Sequence, residues 1–491
     1  MNPLKKLASE AGLYGLPSIL GRLINYALVP LHTTVFFPDQ FGDITELYAY
    51  MAFLNIAYTF GMETAFFRFS NKNKSVNYYN YSFSAVLLLS IVFSSLILLN
   101  AASLYNYFQI NPNTRIIEIL VAILFIDAIV AIPLAQLRLA SKAKKFATVR
   151  MSSILLSVIF NYSFLWFFPL LADKGYIDWP NQYPMDVRFV FWANLLANAA
   201  MILLLFKDFL KIKIGWNNKI MLDLFAYSAP ILLMGLAGMM VENFDKLVFE
   251  ALLPANFYTK YTAEEAFGIY GATVKLSIFM ALAVQAFRYA GEPFFFSTAA
   301  DKNAPSLFAK VLYYFVWLSL IIWLGVSLNA DLIGQLFLRG AVYREALYLV
   351  PILLFGKLLF GMYINISIWF KLTDRTVYGI YISVVGAIVI IAADLLLIPA
   401  FGYLGASIAS VLGYGAMLLY GYFSGQKYYP IPYPIKKIVG NIFITALIIA
   451  SYYMFKPANE LINYILGMVL SAVFTLIVYL RERKHIFSDK E

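Results

Sequence analysis

Four ionisable side chains lie deep inside long apolar segments: Arg22, Asp127, Lys275 and Lys357. A charge at this depth in hydrocarbon costs roughly 2.5–3.5 kcal/mol on insertion scales, so each side chain is a candidate for ligand binding or ion coupling. Three are cations and one is an anion. This balance favours an anionic ligand, bound by Arg22, Lys275 and Lys357, over a cationic one.

Each of these residues also has a structural interpretation. Asp127 could pair with Arg22 inside one half of the molecule, or it could bind a proton or a sodium ion that drives a cycle. Lys275 and Lys357 have long stems, so they could extend towards the membrane surface or pair with a neighbouring helix. The sequence leaves these alternatives open, and Asp127 is the candidate ion-coupling residue.

Enzymatic and metal chemistry have little support in the sequence. The chain has no cysteine, and its two histidines, His32 and His485, have no metal-ligand neighbours in the sequence. A nucleotide-binding Gly-x-x-x-x-Gly-Lys loop is missing. Asp173, Asp178 and Asp186 are too far apart to assign as an acid/base pair. We therefore expect no enzyme, no metal site and no cofactor.

The composition requires a membrane. Of 491 residues, 62% are hydrophobic and 13% are charged, and the mean hydropathy is +0.75. Segments long enough to cross a hydrocarbon core of about 30 Å recur along the whole chain. They predict an all-α polytopic protein of about fourteen spans. Spans 1 to 14 are residues 12–35, 43–66, 80–104, 116–137, 148–171, 187–206, 222–250, 266–290, 306–328, 346–369, 377–399, 402–424, 437–455 and 461–480.

Apart from Arg22, Lys246, Lys275 and Lys357, the basic residues lie in loops, tails and the ends of spans, and they are divided unequally between the two sides of the membrane. With the N-terminus inside, 26 Lys and Arg residues lie on that side and 7 on the other. Short basic loops stay cytoplasmic, so this asymmetry predicts both termini in the cytoplasm. It also explains the net charge of +10 as membrane topology, without nucleic-acid binding.

Landmarks recur between the two halves of the sequence. Tyr-x-x-Pro opens span 1 at Tyr14 and span 7 at Tyr227, and Phe-Gly opens spans 2 and 8. The distance from Gly42 to Ser70 is 28 residues, and that from Gly268 to Ser297 is 29. Two parallel six-helix repeats follow from this pattern. The predicted domains are an N-terminal lobe at 1–215, a C-terminal lobe at 216–426, and spans 13 and 14 with a tail at 427–491.

The repeat places charged pairs at equivalent ends of two spans. Glu63 and Arg68 end span 2, and Arg288 and Glu292 end span 8. These four residues are candidates for an inner gate formed when the lobes close. The alternative interpretation is that they are ordinary anchors at the membrane interface.

Several short patterns carry a family resemblance. They are the first-span run from Tyr14 to Pro30, the borders of span 2 at Gly42 and Gly61–Arg68, Phe-Asp-Lys-Leu-Val-Phe at 244–249, Phe-Gly-Ile-Tyr-Gly-Ala-Thr-Val-Lys-Leu at 267–276 and Gly-Tyr-Leu-Gly-Ala-Ser-Ile-Ala at 402–409. In these the chain resembles the polysaccharide-unit flippases of the multidrug/oligosaccharidyl-lipid/polysaccharide exporter superfamily. The resemblance extends over roughly residues 12 to 425, and its motifs are packing motifs of glycine and small residues.

The resemblance implies two lobes that rock between inward-open and outward-open states in the bacterial inner membrane. The implied cargo is an oligosaccharide unit on undecaprenyl diphosphate, moved outward for O-antigen, capsule or exopolysaccharide assembly, with polysaccharide assembly enzymes as partners. Its phosphates need compensation in hydrocarbon, and Arg22, Lys275 and Lys357 facing the cleft would supply it. The alternatives are an ion-coupled drug exporter of the same superfamily and a membrane-embedded polymerase or ligase.

Overall fold

The computed structural model describes residues 19–73, 75–180, 184–299 and 301–487. Every regular element in this part of the chain is helical. The chain divides into two compact units, Met1–Leu247 and Val248–Glu491. The predicted all-α membrane fold is confirmed.

The helices of the first unit follow the predicted spans 1 to 7. They are residues 19–26, Leu28–Val35, Pro38–Thr59, Met62–Lys72, Tyr78–Leu99, Ala101–Tyr107, Ile116–Leu139, Ala143–Tyr162, Phe168–Asp173, Arg188–Leu204, Phe206–Phe209 and Asn218–Leu252. A π-helical turn, Ser163–Phe167, joins the two parts of span 5. The last of these helices ends just inside the second unit.

The helices of the second unit follow the predicted spans 8 to 14. They are Ala263–Lys275, Ile278–Thr298, Ala304–Leu328, Ala330–Phe337, Val350–Ile366, Ile368–Leu372, Val377–Phe401, Tyr403–Tyr428, Ile435–Met454 and Glu460–Phe487. The first begins with a capping box, in which the Thr262 hydroxyl accepts from the Glu265 amide and the Glu265 carboxylate accepts from the Thr262 amide. These bonds satisfy amide groups that a helix start leaves unpaired.

Ten helices in the described ranges are long and apolar enough to cross a membrane, and counting one bent pair as a span gives eleven. The other predicted spans are helical but interrupted or short. Span 1 is divided at Ala27, and span 2 is broken after Thr59. Span 6 has 17 helical residues, and span 8 bends by 45° after Lys275. The count of fourteen stays a prediction.

The break in span 2 has a backbone cause. Phe60 and Gly61 both adopt the left-handed conformation, with φ of 49° and 67°. A Cβ on Gly61 would lie 2.9 Å from Cγ2 of Ile231 and 3.3 Å from the carbonyl oxygen of Ser228, both in span 7. Glycine is required here because it accepts the positive φ and leaves room for span 7.

Spans 13 and 14 pack against span 9 within the second unit. The Tyr453 hydroxyl donates to the backbone carbonyl of Ser327 at 3.1 Å, and the side-chain Nδ2 of Asn329 donates to the Ser471 hydroxyl at 3.1 Å. Gly467 lies so close to span 9 that a Cβ would be 2.6 Å from the Leu328 carbonyl oxygen. Polar contacts of this kind hold helices together where water is excluded.

Candidate functional site

Arg22 lies on an exposed surface of helix 19–26 in the first unit. The preceding residue, Gly21, is buried against Ile154 of span 5. A second contact fixes the same two spans, because the Tyr162 hydroxyl donates to the Ala27 carbonyl at 3.0 Å. Span 1 therefore packs on span 5 through its glycine and leaves the neighbouring guanidinium accessible.

Asp127 belongs to a polar network in the interior of the first unit. Its Oδ1 accepts a hydrogen bond from the side-chain Nδ2 of Asn198 at 2.9 Å. The side-chain Oδ1 of Asn198 accepts a second hydrogen bond from the Ser153 hydroxyl at 3.2 Å. The positive charge that acts on Asp127 comes from Arg150. Spans 4, 5 and 6 thus hold a carboxylate that is half-buried, hydrogen-bonded and close to a cation.

Lys357 is held inside the second unit. Its ammonium donates to the Tyr414 hydroxyl at 3.0 Å and lies 5.1 Å from the centroid of the same ring. Phe360 places a second ring 6.0 Å away. Tyr414 is buried, whereas Lys357 keeps part of its surface accessible. Span 12 thereby fixes the direction of a cation that belongs to span 10.

Lys275 occupies the bend in span 8. It is the last residue of Ala263–Lys275, and the turn that follows is closed by the Leu276 and Ser277 amides, which donate to Thr273 and Val274. Residues 266–273 of this helix are buried, whereas Lys275 itself is exposed. A helix C-terminus carries partial negative charge that favours a cation, so the bend accounts locally for a lysine at this position.

The predicted gate residues have different partners in the structure. Glu63 forms an ion pair with Arg138, in the last turn of the helix that contains span 4, and the Arg138 guanidinium lies 5.0 Å from the Phe67 ring. Arg68 lies 4.3 Å above the Tyr227 ring. These contacts join span 2 to spans 4 and 7 of its own unit.

The second predicted gate pair is described in part. Arg288 is exposed, with its guanidinium 5.7 Å from the neighbouring Tyr289 ring. The side chain of Glu292 lies outside the described part of the chain. Gating by the four residues stays a prediction.

Neither Arg150 nor Asp394 was nominated from the sequence, although both lie within predicted spans. Arg150 lies about two turns after its helix begins at Ala143, and its charge acts on Asp127. Asp394 is fully buried in span 11, between Ile390 and Leu397, which contact span 12. The rule that nominated Asp127 would have found Asp394, because it too is an acid inside an apolar span.

Comparison with known proteins gives one family match. The family model described as "Polysaccharide biosynthesis protein" matches residues 35–167, which include spans 2 to 5 apart from the last residues of span 5. No curated protein matches the chain.

Solved structures share the fold over nearly the whole chain. The lipid II flippase MurJ, in an inward closed conformation, is 15% identical, with a TM-score of 0.69 over 96% of this chain and 99% of that one. A multidrug resistance MATE family transporter of the MOP superfamily, facing inward, is 13% identical, with a TM-score of 0.61 over 88% of this chain and 95% of that one. The same kind of transporter facing outward has a TM-score of 0.56 and 13% identity, over 90% of this chain and 99% of that one.

These matches confirm the predicted resemblance. The chain has the fold of the flippases and transporters of the exporter superfamily, and part of it matches a polysaccharide biosynthesis family. At identities of 15% and below, the structural likeness establishes the fold and leaves the cargo to be argued from the residues.

Proposed function

We propose that the protein is a flippase that moves undecaprenyl-diphosphate-linked oligosaccharide repeat units across the cytoplasmic membrane by alternating access. One observation carries the proposal: a polysaccharide biosynthesis family matches spans of a chain whose fold is shared with a lipid II flippase. The family description names polysaccharide biosynthesis, and the similar structure is named as a flippase of lipid II. The orientation, with both termini cytoplasmic, rests on the excess of basic residues on one side.

The charges inside the spans support a diphosphate cargo. Arg22 and Lys275 are exposed, and Lys357 is partly accessible beside Tyr414. A diphosphate cannot enter hydrocarbon without compensation of its charge, whereas a polyprenyl tail remains in lipid throughout. Arg22 would bind phosphate oxygens in pairs, and the two lysines would act as point charges.

Ion coupling is proposed for Asp127. Its carboxylate accepts a hydrogen bond from the side-chain amide of Asn198 and is subject to the positive charge of Arg150. Binding of a proton or a sodium ion would change the balance with Arg150, and a carboxylate within a span is a common means of coupling transport to an ion gradient. Glu63, Arg68, Arg288 and Glu292 would act at the ends of spans 2 and 8 as the lobes close.

A second candidate is an ion-coupled exporter of drugs or other small molecules. It is favoured by the fold shared with a multidrug transporter, at a TM-score of 0.61. Such an exporter would bind organic cations, which need acidic partners inside the membrane. Three of the four charged residues nominated by their depth in the spans are cations, which favours the flippase.

Reconstituted transport distinguishes the two candidates. Purified protein is placed in liposomes that contain a fluorescent undecaprenyl-diphosphate oligosaccharide, and the label exposed on each face is quenched in turn. A parallel set of liposomes is loaded with an ammonium dye. We expect redistribution of the lipid-linked sugar and retention of the dye. Movement of the dye without the lipid would establish the exporter and overturn the flippase.

A further inference from the structure

The second unit contains a basic cavity whose described lining includes none of the proposed binding cations. Its volume is about 360 Å³, and it lies where spans 9 and 13 begin and span 14 ends. Three basic residues line it, one from each span: Lys310, Lys437 and Arg481. Three cations from separate helices at one cavity form a concentrated positive charge, which attracts an anion.

Among the described residues that line the cavity, one is acidic, and its carboxylate is hydrogen-bonded within the protein. Glu482 is largely buried, and its Oε1 accepts a hydrogen bond from the Tyr313 hydroxyl at 2.9 Å. Arg481 lies beside it, at 3.7 Å, and also 5.7 Å from the Trp317 ring. One carboxylate offsets only part of three positive charges, so the lining keeps a net positive charge.

The surroundings of the cavity are those of a lipid-facing surface. Ile444 lies two turns beyond Lys437 and is 54% exposed, and Ile477 lies one turn before Arg481 and is 57% exposed. Exposed isoleucines within apolar spans face hydrocarbon in a membrane. A molecule with its anionic group in the cavity could therefore lay apolar chains along spans 13 and 14.

We propose that this cavity binds the phosphate of an anionic membrane phospholipid. The basic residues supply the charge, the Tyr314 ring lines the cavity beside them, and the exposed isoleucines supply the surface for acyl chains. Basic pockets between helices at the cytoplasmic side are suited to anionic headgroups. A soluble phosphate shares the headgroup chemistry but would gain nothing from the apolar surface, so the site selects the lipid.

Binding of fluorescent phosphatidylglycerol to the purified full-length chain in a neutral detergent tests the proposal. We expect saturable binding that unlabelled phosphatidylglycerol displaces and that phosphatidylcholine and glycerol phosphate, each at tenfold higher concentration, do not. Equal displacement by glycerol phosphate would overturn the lipid assignment, and equal displacement by phosphatidylcholine would overturn the role of charge. Transport is not measured, so the result is independent of the proposed function.

Charge variants locate the site. A cation near an anionic lipid surface contributes roughly 1 kcal/mol, so Lys310→Gln, Lys437→Gln and Arg481→Gln should each weaken binding about fivefold. The matched control is Lys436→Gln, because Lys436 is exposed in the same turn of span 13 but does not line the cavity. Its affinity should stay within about twofold of wild type. Equal effects of Lys436→Gln and Lys437→Gln would overturn the proposal.

A variant that gains affinity distinguishes an effect on the site from misfolding, because a misfolded protein would lose binding. Glu482→Gln keeps an acceptor for the Tyr313 hydroxyl and removes the negative charge from the cavity. It should therefore tighten phosphatidylglycerol binding about fivefold, by the same charge increment. Unchanged or weaker binding by a folded Glu482→Gln protein would contradict the proposed place of the phosphate.

Discussion

Replacement of Gly61 by alanine should destabilise the first unit. Gly61 has a φ of +67°, and a left-handed alanine costs about 1–2 kcal/mol relative to its ordinary conformation. The added Cβ would also lie 2.9 Å from Cγ2 of Ile231, closer than carbon atoms pack. Overpacking of this kind costs about 1–3 kcal/mol, but the Ile231 side chain can move, so we expect a total loss of about 2–4 kcal/mol.

The assay is equilibrium unfolding of the purified chain in mixed micelles with increasing SDS, followed by tryptophan fluorescence. The matched control is Gly238→Ala in span 7, where a Cβ would have no other atom within 4 Å. It should be neutral or stabilised by up to about 1 kcal/mol, because alanine favours the helix. In an Ile231→Ala background, Gly61→Ala should cost about 1 kcal/mol less than in the wild type, because the overlap between the added Cβ and Ile231 is then removed. Equal stabilities of Gly61→Ala and Gly238→Ala would refute this explanation of the break in span 2.

Three further variants test individual contacts. Tyr414→Phe removes one acceptor of the Lys357 ammonium, so the same unfolding assay should show a loss of about 1.5–3 kcal/mol, and an unchanged stability would show that this hydrogen bond does not stabilise the fold. Glu63→Gln should change stability by less than about 1 kcal/mol, because both side chains of the Glu63–Arg138 pair are 32–40% exposed, and a larger loss would contradict this estimate. Asp127→Asn should make the initial transport rate insensitive to imposed proton and sodium gradients, and a response equal to wild type would exclude Asp127 as the coupling residue.

The sequence predicts the helices well because hydrophobic length is a local property. All fourteen predicted spans overlap helices in the described part of the chain. The break at Phe60 was not predicted, because a left-handed phenylalanine has no local signal. The requirement for glycine next to this break comes from Ser228 and Ile231, which are far away in the sequence and pack against Gly61. The bend at Lys275 was likewise not predicted.

For the candidate site, the sequence identifies the charges but not their partners. Asp127 could be nominated from its depth in span 4, whereas its contacts with Asn198 and Arg150 depend on how spans 5 and 6 pack. Glu63 illustrates the same limit, since its partner Arg138 is 75 residues away. A rule based on depth finds buried charge, and only the packing of helices shows which charges meet.

In the proposed function, cations inside the spans carry the charge of a lipid diphosphate. The direct measurement is the initial rate of undecaprenyl-diphosphate oligosaccharide transfer in liposomes by wild type, Arg22→Ala, Lys275→Ala and Lys357→Ala, with Lys219→Gln, an exposed cation outside the spans, as the control. We expect each of the three alanine variants to lose at least about tenfold in rate, as for about 1.4 kcal/mol of lost phosphate binding, and the control to match wild type. Transfer at the wild-type rate by all three folded alanine variants would contradict the claim.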